Sequence, residues 1–441
     1  MDLLNNFLIN MKDNFNIEEL IKSIYQNMQH KSYHNRLHYK KYENSLIQLF
    51  SESSQEYTKW DIYNICRSII FSSSTGKIVS YSHSNIKYLT YDEFKTLNIN
   101  QDTIFTESHE GTLISVFFYN DKWYYATRRE IDMYKTHRYI YGEKSKLSHG
   151  EMFEECLNRS GLTKKEFEEK LDKSYQYHFE LVHYDNKINM SYDIRFGEKY
   201  AKLYLLFIRD VNNEIIDKQS INNMSDNLNI TMSSEVTYND LTGIMEEENL
   251  LEIEGYMFNR TDENGNIELC KVLHNNYNNK IRYNPGYKTH QELCLYLYQK
   301  NLLSDDKISM NYKIYKNQGN NEYGSVETIG LLNAVITYIG QRMLDIYYKF
   351  NSNKMIHKNE EIFKNLFIDN KEYNIIFYTL GKMKGIHKNR QITINEMRKF
   401  LKYNMSASDV WKLGNVIKKF EEKENILIKY PVKIVNLFLE Q

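Results

Sequence analysis

The sequence contains very little proline and no long apolar run. Only two prolines, Pro285 and Pro431, occur among its 441 residues. No stretch approaches the roughly 18 consecutive apolar residues that a membrane-spanning helix needs, and the first residues lack a signal-peptide pattern. We therefore expect a cytoplasmic, intracellular protein without membrane contact. Scarce proline with abundant Asn, Lys, Ile and Tyr is typical of AT-rich genomes, including those of some large DNA viruses and protists.

Cysteine and histidine are present without the spacing that metal sites show. The four cysteines, Cys66, Cys156, Cys270 and Cys294, lie far apart, and no pair forms a C-x-x-C motif. Widely spaced cysteines of this kind are typical of reduced thiols in a cytosolic protein. The 13 histidines are also scattered. We expect no zinc site.

The chain has no excess of positive charge. It carries 57 Lys and Arg against 58 Asp and Glu, for a net charge of −1. A non-specific nucleic-acid binder often has an overall basic field, and this chain has none. Any contact with RNA must therefore come from a local basic groove.

The composition is that of a folded, two-domain protein. Hydrophobic residues make up 41% of the chain and charged residues 26%, which is a globular balance. We predict an α+β domain with antiparallel sheets over residues 1–295, whose first 55 residues are helical. A mostly helical domain is predicted over residues 296–441.

Hydrophobic periodicity supports this division. Apolar residues recur at helical spacing in the first 50 residues or so, and helix-favouring composition returns over residues 148–174. Two hairpins and two further strands are predicted between and after these helices. They cover residues 67–81, 113–128, 177–183 and 202–209.

The last third of the chain is predicted to be helical. Residues 326–350 form a long apolar-periodic stretch, and residues 393–420 form a helix with a break near residues 404–406. The stretch KNQGNNEY, residues 316–323, is predicted to be a loop.

A short motif that ends in Glu110, Gly111 and Thr112 carries the first functional signal. The segment reads T-E-S-H-E-G-T from Thr106 to Thr112. It resembles the nucleotide-attachment motif of ATP-dependent RNA ligases, K-x-D-G-S or K-x-E-G-T. Ser108 stands where that family has its lysine.

Further motifs follow in the order of the same family. The family's arginine motif resembles the segments C-R-S-I-I-F and T-G-K-I-V, and its third motif resembles Y-H-F-E-L-V. The motif that follows the third resembles L-Y-L-L-F-I-R-D, and the fourth motif resembles I-E-G-Y-M. The residues concerned are Arg67, Phe179, Glu180, Arg209 and Glu254. Each motif alone is also common as an ordinary structural element, such as an amphipathic strand or a surface turn. Only the order of the motifs indicates the resemblance to the family.

Two segments compete for the fifth motif, K-x-K. Lys280 and Arg282 precede an N-P-x-Y tail that matches the family, and His290 lies just beyond it. The rival is Lys271, which would put Leu273 at the second lysine position. We prefer the later segment because of its tail.

The resemblance covers roughly residues 60–290 and is closest to phage-type RNA ligases. It implies an ATP-grasp-like nucleotidyltransferase domain of the ligase superfamily, followed by a helical domain. It also implies ATP and Mg²⁺ as cofactors and RNA ends as partners. The implied roles are catalytic for the motif at Ser108 and Glu110, nucleotide-binding for a second group, and metal-binding for Glu254. The nucleotide-binding group is Arg67, Phe179, Glu180, Lys280 and Arg282.

The missing lysine limits the chemistry. In the family the lysine amine attacks the α-phosphate of ATP, whereas a serine hydroxyl is a weak nucleophile without an activating base. His109 is adjacent, but side chains next to each other on a strand point to opposite faces. We therefore predict an impaired enzyme that binds nucleotide or RNA ends or serves as a structural subunit for a protein partner. An active RNA ligase with an unrecognised nucleophile is the alternative.

Overall fold

The structure is a computed structural model of the whole chain, and it describes most of the first 300 residues and three later segments. The described residues are 4, 8, 15–27, 37–51, 65–140, 143–187, 189–247, 252–261, 267–283, 289–303, 325–351, 374–387 and 392–423. The predicted loop at residues 316–323 and the N-P-x-Y tail lie outside them.

The chain divides into two compact units. The first comprises Met1–Tyr139 and Lys144–Arg282, and the second comprises Ile140–Glu143 and Tyr283–Gln441. The boundary predicted from the sequence, after residue 295, lies a little beyond this division.

The first unit contains most of the β-structure. Its strands, in chain order, are β1 Leu37–Tyr42, β2 Leu46–Ser51, β3 Ile69–Ser72, β4 Ile78–Tyr81, β5 Lys87–Leu89, β6 Phe105–Ser108, β7 Thr112–Tyr119, β8 Lys122–Ala126, β9 His137–Ile140, β10 Glu143–Ser148, β11 Gln176–His183, β12 Ala201–Arg209, β13 Thr231–Met232, β14 Glu235–Val236, β15 Gly255–Thr261 and β16 Ile267–Leu273.

These strands form one four-stranded sheet, two five-stranded sheets and one two-stranded sheet. The strand orders are β1-β2-β3-β4, β13-β12-β11-β7-β8, β14-β6-β15-β16-β5 and β10-β9. In the four-stranded and five-stranded sheets, neighbouring strands are antiparallel except in the pairs β12–β13 and β16–β5. The prediction of a mixed fold with antiparallel sheets is confirmed.

Helices lie between the strands and make up the described part of the second unit. They are α1 Ile17–Asn27, α2 Tyr91–Lys95, α3 His149–Arg159, α4 Lys164–Lys170, α5 Asp193–Phe196, α6 Lys218–Leu228, α7 Tyr238–Glu246, α8 Asn275–Tyr283, α9 His290–Gln299, α10 Ser325–Asn351, α11 Asn374–His387, α12 Ile394–Tyr403 and α13 Ala407–Lys423.

The helices predicted near the end of the chain are confirmed. The long apolar stretch is α10, and the predicted break falls between α12 and α13. Thr393 caps the start of α12 through a reciprocal pair of hydrogen bonds with Glu396, a standard start signal. The helices of this unit bury a shared core that includes Leu332, Ile339 and Leu401.

The prediction for the first 50 residues is partly wrong. Residues 17–27 are helical as expected, but β1 and β2 form an antiparallel hairpin that continues into β3. Every residue of β2, LIQLFS, is buried. A short, continuous apolar run fits a buried strand as well as a helix, so periodicity alone could not decide.

Each five-stranded sheet buries one face against helices. In the first, Tyr177, Phe179 and Leu181 of β11 pack against α3 and its neighbours. In the second, Phe105, Tyr256 and Val272 pack with residues of α2 and α7. Because side chains alternate along a strand, the residues between them point to the opposite faces. Those opposite faces carry charged residues, among them Glu180 of β11 and Lys271 of β16.

The four cysteines are free and buried, as expected for reduced thiols. Within the described ranges, no helix is both long enough and apolar enough to cross a membrane.

Candidate functional site

Ser108 ends β6 and lies beside the first residue of β15. It pairs with Gly255 across the two strands, and its Oγ donates a hydrogen bond of 3.0 Å to Glu254 Oε2. Both side chains are almost completely buried, with 5% of each residue exposed. The motif at Ser108 and the motif at Glu254, separated by 146 residues, therefore meet in the structure.

The two Glu-Gly pairs are sites of close backbone approach. A Cβ on Gly255 would lie 2.1 Å from the backbone oxygen of Val272, and a Cβ on Gly111 would lie 2.7 Å from that of Leu181. Only glycine fits such contacts without a shift of the neighbouring strand. These glycines bring Glu254 and Glu110 close to the strands beside them.

Lys271 completes the group around Glu254. It lies on β16 opposite Met257 and donates a 2.9 Å hydrogen bond to Glu254 Oε1. Only 6% of Lys271 is exposed. Burial alone would lower the pKa of its ammonium, but the Glu254 carboxylate, with smaller effects from Tyr88 and Glu180, raises it. Lys271 is therefore a fixed positive charge.

The preferred fifth-motif residues lie elsewhere. Lys280 and Arg282 belong to helix α8, not to a strand, and Lys280 Nζ is 3.5 Å from the sulfur of Met190. The residue in contact with Glu254 is Lys271, the alternative candidate for the fifth motif.

Glu110 joins three separated segments. Its Oε2 accepts hydrogen bonds from the backbone amides of Asn189 and Met190, at 2.7 and 2.8 Å, and its Oε1 accepts one from the Tyr277 hydroxyl at 3.0 Å. The backbone amide of Glu110 donates to the Tyr192 hydroxyl. Burial and nearby carboxylates, Glu254 among them, raise the pKa of both tyrosines. The two phenols are therefore neutral donors and acceptors.

His109 lies beside Glu180 and Glu107. Its Nδ1 is 3.7 Å from Glu180 Oε2 and its Nε2 is 3.5 Å from Glu107 Oε1, while its ring stacks on Tyr204. Glu107 is itself held by Arg195 and Ser234, and these hydrogen bonds lower its pKa although burial opposes them. The imidazole thus contacts a second set of residues, whereas Ser108 contacts Glu254.

Phe179 is part of the core. It is fully buried, and its ring packs against Phe153 and Phe167 at centroid distances of 5.9 and 5.7 Å. This position contradicts the nucleotide-binding role that the resemblance implies for Phe179. Phe179 and Glu180 are adjacent on one strand, so they point to opposite faces of the sheet. Glu180 is on the face that approaches Lys271.

Replacing Phe179 with leucine tests this assignment. We expect the free energy of unfolding to fall by at most about 1.5 kcal/mol, since the swap keeps an apolar side chain of similar size in the core. Affinity for ATP should not change. Urea unfolding followed by tryptophan fluorescence, with calorimetric titration of ATP, measures both. A large loss of affinity at unchanged stability would return Phe179 to the binding site.

Three cationic side chains influence the charge state of His83, and one of them is Lys271. Burial, and then the positive charges of Arg67, Arg209 and Lys271, lower the pKa of His83 to about 3, so this histidine is neutral. Arg209 donates to the backbone oxygens of Ser82 and Asn213, which makes it a structural link between β12 and the segment after β4. Arg67 donates to Asn85 Oδ1 at 3.2 Å.

These residues fit an anionic ligand better than a resident metal ion. Arg67 and Lys271 both act electrostatically on His83, and arginine and lysine side chains bind phosphate groups through charge-assisted hydrogen bonds. By contrast, Glu110, Glu180 and Glu254 already bind protein donors. Among the described residues, no group of three or more His, Cys, Asp or Glu side chains could hold a metal ion. The residues present therefore do not fit a resident Mg²⁺.

No protein-family model matches the chain, and no curated protein matches it. Solved structures that are similar include a chain assigned as an ATP-dependent DNA ligase from Aquifex aeolicus, with 12% identity and a TM-score of 0.39 over 74% of this chain and 81% of that one. An archaeal ATP-dependent RNA ligase gives 9% identity and a TM-score of 0.38 over 75% and 82%.

A Naegleria gruberi RNA ligase with ATP and Mn gives 14% identity and a TM-score of 0.29. The match covers 42% of this chain and 52% of that one. At these identities and TM-scores, the likenesses do not define what the chain does.

Proposed function

We propose that the protein binds the phosphate-bearing end of a nucleotide or an RNA strand, in a ligase-like site that does not form a covalent adenylate at residue 108. The observation that carries this proposal is the hydrogen bond from Ser108 to Glu254, at the position where the resembling family has its lysine. The order of the sequence motifs supports the ligase-like assignment.

The chemistry of Ser108 supports the loss of the first step. A serine hydroxyl needs a base to become a nucleophile. Its hydrogen-bond partner is a carboxylate, which is a far weaker base than an alkoxide and also binds the Lys271 ammonium. The adjacent imidazole, that of His109, contacts Glu107 and Glu180 instead.

The cations support the retention of binding. Lys271 and Arg67 can neutralise phosphate oxygens through charge-assisted hydrogen bonds. Because the net charge of the chain is −1, this local set matters more than any overall field. The ligand class is therefore a phosphate monoester or nucleotide, including the 5′ end of an RNA.

Incubation with α-labelled ATP tests the proposal. The wild-type protein should acquire no covalent label, while calorimetric titration should still detect the binding of ATP. Ser108→Lys supplies an amine at the same position and should become labelled. Ser108→Arg is the matched control, because it adds similar bulk and charge but no nucleophilic amine, and it should remain unlabelled.

Two results would contradict the proposal. A covalent label on the wild-type protein would show that it can form an adenylate. If neither wild type nor Ser108→Lys binds ATP, the site would have no nucleotide function, and a role in binding a protein partner would be favoured.

One observation favours a second candidate, an active ligase with a different nucleophile. Lys271 places its side-chain nitrogen on the same carboxylate that Ser108 contacts, and this ammonium would have to lose a proton before it could attack a phosphate. If the wild-type protein is labelled, mass spectrometry should locate the adenylate on Lys271, and Lys271→Arg should abolish the label. Label on any other residue would exclude this candidate.

A further inference from the structure

We infer that the Lys271 ammonium takes the place of a divalent cation at Glu254, so that anionic ligands bind this site without a metal ion. The inference rests on the proposed function, because it concerns how the same site neutralises a ligand. The sequence resemblance implies Mg²⁺, whereas the carboxylates that would bind it already accept hydrogen bonds from the protein.

Glu254 has both carboxylate oxygens engaged. Oε2 accepts the hydrogen bond from Ser108 at 3.0 Å, and Oε1 accepts that from Lys271 at 2.9 Å. All three residues are buried. Mg²⁺ requires octahedral coordination at about 2.0–2.1 Å and usually keeps several of its waters. A metal ion at Glu254 would have to share these oxygens with the Lys271 ammonium, and the two positive charges would repel each other.

The other two carboxylates near the site are also committed. Glu110 accepts two backbone amides and one phenol hydroxyl, which fix its orientation toward residues 189–190 and α8. Glu180 accepts the backbone amide of His109 at 3.4 Å and faces the His109 ring. Each carboxylate that could contribute to a metal site therefore already serves a protein donor.

Lys271 can supply the charge that a metal ion would bring. An ammonium is a compact positive charge with three N–H donors, so it can bind Glu254 and still donate to a phosphate oxygen. Lys271 is also within the electrostatic influence of Glu180, on the neighbouring sheet. Its position is fixed by the pairing of β16 with β15 and needs no ion from solution.

Binding of AMP and ATP with and without Mg²⁺ tests the inference. AMP is the more informative ligand, because it chelates Mg²⁺ weakly and any metal dependence must then come from the protein. Calorimetric Kd values in EDTA and in excess Mg²⁺ should agree within about threefold, less than 1 kcal/mol in binding free energy. Manganese titration followed by electron paramagnetic resonance should show no saturable site in the ligand-free protein.

Three outcomes have separate meanings. AMP binding that strengthens tenfold or more with Mg²⁺, or a saturable Mn²⁺ site, overturns the inference and leaves the proposed function standing. The absence of AMP and ATP binding under both conditions overturns the proposed function, and the inference with it. Equal binding in both conditions supports the inference.

Variants assign the effect to Lys271. Lys271→Met frees Glu254 and should weaken AMP binding in EDTA more than in Mg²⁺. If this variant does not fold, the double variant Lys271→Met/Glu254→Gln leaves no unpaired charge and should lose AMP affinity at least tenfold in both conditions. Unchanged affinity in the double variant would overturn the inference.

The control is Lys87→Met. Lys87 lies on β5 of the same sheet and pairs with Glu268. It should bind AMP as the wild-type protein does. An equal loss in Lys87→Met and in the double variant would show that any lysine of this sheet has the same effect, which contradicts a specific role for Lys271.

Discussion

Replacing Lys271 with methionine is expected to lower the free energy of unfolding by about 3–5 kcal/mol, the range found when one member of a buried ion pair is removed. The reason is that Glu254, the partner of Lys271, would remain buried. Glu254 would keep its hydrogen bond from Ser108 but would lose the positive charge that compensates its burial. Urea unfolding followed by circular dichroism measures the loss.

The double variant Lys271→Met/Glu254→Gln serves as the control for this prediction. It removes both charges together, and replacement of a whole buried pair by neutral groups is often close to neutral for stability. We therefore expect it to be markedly more stable than Lys271→Met alone. A double variant no more stable than the single one would mean that the cost comes from lost packing of the lysine stem and not from an uncompensated charge.

Replacing Gly255 with alanine is expected to cost about 3 kcal/mol, the upper part of the usual range for forced overpacking. The added methyl group would lie 2.1 Å from the backbone oxygen of Val272. Backbone in a paired strand cannot move aside as a flexible side chain can, so β15 and β16 must separate locally. The separation would also loosen the contact between Lys271 and Glu254, and ATP affinity should fall together with stability.

Gly243→Ala is the matched control. Gly243 lies in helix α7, and nothing would stand within 4 Å of an added Cβ. Alanine favours a helix over glycine by up to about 1 kcal/mol, so this variant should be slightly more stable than the wild type. Similar losses in Gly255→Ala and Gly243→Ala would argue against close strand approach as the cause.

Much of the fold could be predicted because its signals are local. The hairpins at residues 67–81 and 113–128 alternate around short turns, and the break between α12 and α13 follows a change in helical periodicity. The meeting of Ser108 with Glu254 was implied only by the order of motifs. No property of either segment alone encodes a contact across 146 residues.

The errors have definite physical origins. The β2 strand was missed because a continuous apolar run does not separate a buried strand from a helix. The contact of Lys271 with Glu254 could not be predicted, because it depends on the register between β15 and β16, which places Lys271 opposite Met257. The assignment of Phe179 could have been avoided, since neighbours on a strand cannot both face one ligand.

The hydrogen bonds of Glu110 give this residue a structural role that does not depend on residue 108. Its carboxylate joins the turn before β7 to residues 189–190 and to α8. A change of side chain at position 108 would therefore leave this junction intact. The folding of the chain is by itself a sufficient reason for an acidic residue at position 110.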